Sequence, residues 1–174
     1  MSDRVSENAS DRVLVTAASG FLGAHVAAAL MRHGFPVRGT VRSEEKREPT
    51  AGAIARAVGE DAEAPEILSA DLSRDEGWDA GVQGVDTVIH CASPFPVSAP
   101  ADENELIQPA RDGTLRVLNA ARRQGVRRVV ITSSLVALTG GHEYHPSPIE
   151  PGLWTDTDAP GVSPYAKSKT LAER

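Results

Sequence analysis

A single cysteine, Cys91, in 174 residues leaves no partner for an internal disulfide and points to a reducing compartment. Long apolar runs are missing as well, and no stretch approaches the roughly 20 residues that span a bilayer. The first dozen residues are polar, without the apolar segment of a secretion signal. A cytoplasmic protein with a disordered leader over residues 1–12 is therefore expected. Basic residues are in deficit: 18 Lys and Arg against 24 Asp and Glu leave a formal charge of −6. That argues against general binding to nucleic acid or to an anionic membrane, though not against a local basic pocket. Internal repeats and low-complexity tracts are absent too. What is present, 40% apolar and 24% charged residues, is the composition of a globular domain with a sizeable core.

Short β-branched runs alternate with longer helical patterns. Strands are expected at Val13–Thr16, Pro36–Arg42, Glu66–Ala70, Val85–His90 and Val126–Thr132. Between them, Leu22, Val26 and Leu30 recur at helical spacing, ending in Arg32, His33 and Gly34, a basic last turn and a cap. Residues 43–64 suggest a weak, charged helix. Glu103–Gln124 suggests a long one with Ala110, Thr114, Val117 and Ala121 on its inward face, stopped by Gly125. Cys91–Pro100, with three prolines, and residues 139–162 read as loops, and a last helix starts near Ser163. This alternation predicts an α/β fold, a doubly wound parallel sheet of order 3-2-1-4-5 with helices on both faces. Ligand is expected at the strand C-terminal ends.

The first strand runs into TAASGFLG, residues 16–23. Gly20 and Gly23 fall where a dinucleotide turn needs bare backbone, one for approach to a pyrophosphate and one for helix–strand packing. The following helix N-terminus offers N–H groups and a positive dipole end to phosphates. An ordinary strand–helix turn has similar composition, and Ala17 stands where such a turn usually has its first glycine, placing a Cβ at the sharpest bend. At the tip of the second strand, VRGTVRS holds no acid to take a ribose 2′-hydroxyl. Arg42 is placed instead to pair with a 2′-phosphate, which favours NADP(H) over NAD(H), although a solvated loop arginine looks the same. Lys46 and Arg47 are possible helpers, interleaved with Glu44, Glu45 and Glu48. After the third strand, Asp71 suits the adenine amino group and Leu72 the ring, unless Asp71 simply caps a helix.

Tyr165 and Lys169 lie four apart and so share a helix face. A phenol of pKa about 10 works poorly at neutral pH, and a neighbouring ammonium brings it closer to range. Alone, the pair is an ordinary surface feature; following a fifth strand and a dinucleotide turn, it suggests an acid–base site. Ser134 is placed to donate to a substrate oxygen. His142, Glu143 and His145 lack the spacing of a metal site and read as a solvated loop. His90, ending an apolar strand, reads as structural.

Taken in chain order, VTAASGFLGAHV, VRGTVR, ADL, VIHCASPF, ITSS, LWTD and YAKSKTLAE resemble the extended short-chain dehydrogenase/reductase family. The similarity is to its dihydroflavonol reductase, cinnamoyl-CoA reductase and NADPH-dependent aldehyde reductase branch, over residues 13–173. The resemblance implies hydride transfer from NADPH to a small-molecule aldehyde or ketone. Tyr165 would give the proton, Lys169 would lower its pKa and bind the nicotinamide ribose, and Ser134 would orient the carbonyl. Thr16, Ala18, Phe21 and Leu22 would belong to the cofactor turn with Gly20 and Gly23, and Cys91, Ala92 and Ser93 would line the cofactor's middle. Thr139 stands about where flavonoid reductases have an asparagine, so a flavonoid is not implied. Family members continue beyond Arg174. The expectation is thus a Rossmann domain over residues 13–174, incomplete at its C-terminus, whose fifth strand has an open edge inviting self-association. Two other functions stay open: an NAD-dependent nucleotide-sugar epimerase or dehydratase, and a cofactor-binding module without turnover.

Overall fold

In the computed structural model, residues 11–95, 100–142, 148–149 and 152–174 are described. The β-branched runs form five strands, β1 Val13–Val15, β2 Val37–Val41, β3 Glu66–Ser69, β4 Thr87–His90 and β5 Arg128–Ile131. All pair in parallel, in the expected order β3-β2-β1-β4-β5. Val13 lies opposite Val37 on one side and Thr87 on the other, so β1 is central. Every residue of β1 and β2 is buried, as befits strands covered on both faces. The chain order places the crossover of the sheet at β1 and β4, whose C-terminal ends carry the turn after Val15 and the loop after His90.

Among the described residues, six helices accompany the strands: α1 Phe21–Arg32, α2 Arg47–Val58, α3 Trp78–Val82, α4 Asn104–Arg123, α5 Val136–Thr139 and α6 Pro164–Glu173. The charged stretch after β2 begins with a 3-10 turn, Glu44–Lys46, before α2. Neither α3 nor α5 is visible in the sequence pattern, since helices of five and four residues are too short to show a period. The α4 face expected to point inward is buried at Ala110, Thr114, Val117 and Ala121. Gly125, at φ +71°, ends that helix, with Val126 N–H reaching back to the Ala121 carbonyl at 2.9 Å. Among the described residues, no helix is long and apolar enough to cross a membrane.

By packing, the chain forms two compact units. One holds residues up to Ala92 together with Arg116–Ile131; the other holds Ser93–Leu115 and Thr132–Arg174. In the first unit, strand alternation divides the core between the sheet faces. Val13, Val15, Val37 and Val41 pack with Ala27, Ala28 and Ile54 on one face. Leu14 and Val88 pack with Trp78, Val82, Val117 and Ala121 on the other. Arg38 is 7% exposed, yet it is fully engaged. Its guanidinium bonds Glu66 at 2.8 Å and donates to the Ala80, Gly81 and Gln83 carbonyls, tying β2 to the end of α3. β5 is an edge strand, and its Val130 is 48% exposed.

Candidate active site

In the first unit, β1 delivers the glycine-rich turn. Gly20 N–H bonds the Ala17 carbonyl at 2.9 Å, and the Gly20 carbonyl receives Ala24 N–H at 2.9 Å, opening α1. A Cβ on Gly23 would overlap the Ala17 carbonyl. Bare backbone is therefore what lets α1 start this close to β1. Gly39 of β2 serves the same approach, since a Cβ there would lie 2.7 Å from the Ala18 Cβ and 2.6 Å from the Ile67 Cδ1. No side chain caps the N-terminus of α1, so the first N–H groups, at Phe21, Leu22 and Gly23, are left to an outside acceptor. Phe21 is 84% exposed and Leu22 45%. This uncapped terminus beside an exposed apolar pair fits the pyrophosphate end of a dinucleotide.

Ala17 has φ +53°, the only non-glycine among the described residues in the left-handed region. An L-residue there costs about 1–2 kcal/mol. Replacing it with glycine removes that cost but adds roughly 0.4–1 kcal/mol of unfolded-state entropy. Ala17→Gly is therefore expected to stabilise the protein by about 0.5–1 kcal/mol. Urea unfolding would show it as a higher midpoint, and a lower one would show that the Cβ is packed to advantage.

Thr16 is fully buried and joins the turn to the loop after β4. Its Oγ1 accepts Ala92 N–H at 2.9 Å and lies 3.0 Å from His90 Nδ1. The structural reading of His90 agrees with its 2% exposure and this bond. Cys91 is half-buried.

At the tip of β2 the acids are occupied. Glu44 accepts from Ser69 Oγ at 2.8 Å and pairs with Arg47, and these contacts, the Ser69 bond foremost, hold its carboxyl below the usual range. Glu45 is likewise lowered, chiefly by Ser43 Oγ at 2.7 Å. Arg47 also donates to the Ile67 carbonyl at 2.6 Å, so it is an internal strut rather than a phosphate helper. Arg42 and Lys46 are exposed, and neither side chain forms a hydrogen bond or ion pair among the described residues. Asp71 accepts from the Ser73 N–H at 2.8 Å and its hydroxyl at 2.7 Å, closing a turn rather than capping α3, whose N-cap is Gly77. Burial raises its pKa, but the Ser73 bonds with Arg74 and Arg42 outweigh that and leave it lowered. Leu72 packs against the core cluster that includes Trp78. A cavity of about 720 Å³ beside α2 is lined by Glu44, Glu45, Arg47, Glu48, Ala51 and Ile67. Its three carboxylates disfavour a phosphate.

The second unit holds Ser93, Ser134, Tyr165 and Lys169. α6 starts at Pro164, with Ser163 as N-cap accepting from Ala166 N–H. Tyr165 is half-buried, and its ring meets the exposed Phe95 ring edge-on at 5.2 Å and 87°. Lys169 is only 6% exposed, and its Nζ donates to the Thr132 carbonyl at 2.7 Å. Burial lowers its pKa, and Glu173, four residues on, pulls the other way. Ser134 is half-buried, its Oγ 3.4 Å from the Val136 N–H at the start of α5.

Sequence reasoning gave no role to Phe95, Thr155 or Glu173. Thr155, from the LWTD stretch, is buried and clamps α5: its Oγ1 donates to the Val136 carbonyl at 2.6 Å and accepts Gly140 N–H at 2.7 Å. Glu173 bonds Ser133. The LWTD and LAE stretches were the available signals. His142 is held by the Trp154 carbonyl at 2.7 Å, while Glu143 and His145 lie outside the described residues.

Compared with known proteins, residues 13–174 match the model of the NAD dependent epimerase/dehydratase family. A tetraketide alpha-pyrone reductase of Arabidopsis thaliana is 34% identical over 97% of this chain and 52% of its own length. A cinnamoyl-CoA reductase of Medicago truncatula is 35% identical over 97% of this chain and 52% of its own. The solved structure of Gre2 from Candida albicans with NADPH superposes at a TM-score of 0.73 and 26% identity, covering 94% of this chain and 51% of that one. The chain thus spans about half the length of these relatives.

Proposed function

We infer from a chain that belongs to the NAD dependent epimerase/dehydratase family that its function is NADPH-dependent reduction of an aldehyde or ketone carbonyl. The observation that carries this reading is Lys169, buried and pinned by the Thr132 carbonyl four residues after Tyr165. An exposed surface pair would not bury its ammonium, which costs free energy unless the charge is used or compensated. The reductases among the relatives, and the NADPH held by Gre2, support the same reading.

Bound NADPH would supply the hydride, with its pyrophosphate at the uncapped start of α1 and its 2′-phosphate at Arg42. The chain's own task is the proton. Tyr165 Oη gives it to the carbonyl oxygen as that oxygen gains charge, leaving a phenolate. A cation four residues along the same helix face stabilises that phenolate and so favours the transfer. Ser134 Oγ, half-buried and held among the described residues by one long bond, would donate to the same oxygen. NADPH oxidation against a panel of aldehydes and ketones tests the reading. NADPH binding without oxidation of any of them would favour the non-catalytic module.

Cofactor choice is tested separately at Arg42. Loss of a charge-assisted bond of about 1.5–3 kcal/mol should weaken NADPH binding by Arg42→Ala roughly 10- to 100-fold and leave NADH binding unchanged. Calorimetry with both cofactors decides. NADH binding as tight as NADPH in the unmutated protein would overturn the preference.

A further inference from the structure

Three successive residues after β5, Thr132, Ser133 and Ser134, all face α6 or α5. Thr132 receives the Lys169 Nζ at 2.7 Å. Ser133 Oγ donates to the Glu173 carboxylate. Ser134 Oγ is 3.4 Å from Val136 N–H. Glu173 lies four residues after Lys169 on α6, so the two share a helix face. One carboxylate therefore touches the turn that carries Ser134 and shares a helix face with Lys169.

We infer that Glu173 is a positioning residue of the proton-donating site, fixing the Ser133–Ser134 turn by its hydrogen bond and keeping Lys169 charged by its own negative charge. This deepens the reductase reading and rests on it. α5, which packs on α6, is Val136–Thr139 and has no ionisable group. Lys167 on α6 is paired at 2.8 Å with Glu103, the residue before α4, and Tyr165 is the remaining titratable group on the Lys169 face of α6. Burial works against the Lys169 charge, and Glu173 is the group opposing it. A surface carboxylate that served helix stability alone would need no contact to the loop before α5.

The test separates charge from shape. Glu173→Gln keeps the size and a hydrogen-bonding oxygen but removes the charge, and Glu173→Asp restores it. The side-chain titration of Lys169 is followed by NMR on isotopically labelled lysine in the unmutated chain and both variants. The sign is set by electrostatics: without the carboxylate the ammonium is less favoured, so Lys169 should lose its proton at lower pH in Glu173→Gln and return toward the original pH in Glu173→Asp. Lys167, paired elsewhere, should not move. In the active protein, the alkaline limb of kcat should shift to lower pH in Glu173→Gln, with kcat reduced on the order of tenfold and KM little changed. An unmoved Lys169 titration in Glu173→Gln overturns the inference even if the enzyme turns over. Absence of NADPH oxidation by the unmutated protein overturns the reductase reading instead, and the titration still decides the role of Glu173.

Discussion

Tyr165→Phe is expected to lower carbonyl reduction by about 10²-fold or more while NADPH binding stays within about twofold. The substitution removes one oxygen and its proton. The ring stays, and with it the edge-on contact to Phe95, so the packing around α6 is preserved. Lys169 also keeps its bond to the Thr132 carbonyl, which does not involve the phenol. Loss of turnover at unchanged cofactor affinity is therefore a loss of proton transfer and not of folding. Single-turnover NADPH oxidation and calorimetry on the same preparation make the separation. Near-normal turnover in the phenylalanine variant would remove Tyr165 from the mechanism and point to a water or Ser134 as the proton source.

Gly23→Ala should be strongly damaging to both the first unit's stability and its cofactor turn. Its Cβ would overlap the Ala17 carbonyl, which is backbone and cannot rotate aside. Either α1 moves away from β1 or the turn opens, and both displace the N–H groups of Phe21, Leu22 and Gly23. Overpacking of this kind costs about 1–3 kcal/mol, and the rigid neighbour argues for the upper end. The expected readout is a lower urea midpoint together with NADPH binding weakened by about tenfold or more. Gly59→Ala is the control, since no atom lies within 4 Å of its added Cβ, and it should leave both readings unchanged. Equal behaviour of the two variants would show that the turn tolerates a side chain at Gly23.

Much of the fold was legible because its signals are local. Parallel strands buried on both faces must be short apolar runs, and the runs at Val13, Val37, Thr87 and Val129 stand out against charged surroundings. The observed strands are shorter than those runs by a residue or more, although the flanking Thr16 N–H still bonds the Ile89 carbonyl and the Pro36 carbonyl still accepts from Val13 N–H. α3 and α5 were missed for lack of length. α3 is held by tertiary contacts: Trp78, 1% exposed, donates from Nε1 to the Asp71 and Arg74 carbonyls. Nothing near Trp78 in the sequence announces that burial.

The candidate site divides along the same line. The glycine turn and the spacing of Tyr165 and Lys169 are local patterns, readable because a bare backbone and a four-residue repeat each have one geometric meaning. The fate of the charges near them is not local. Glu44 meets Ser69 across two strands, and Glu173 meets Ser133 from 40 residues away, so no window of sequence shows that the first acid bonds Ser69 or that the second bonds the residue before Ser134. The same holds for Ala17, whose identity is plain in the sequence but whose positive φ exists only because β1 and α1 are both anchored. By itself, then, the sequence determined the order of the strands and longer helices, the parallel sheet and the positions of the turn and the Tyr–Lys pair, through short-range periodicity and backbone sterics. Only the tertiary structure decided which charges are paired, which backbone is strained and that Lys169 is buried, because each of those depends on groups far apart in the chain that meet only after folding.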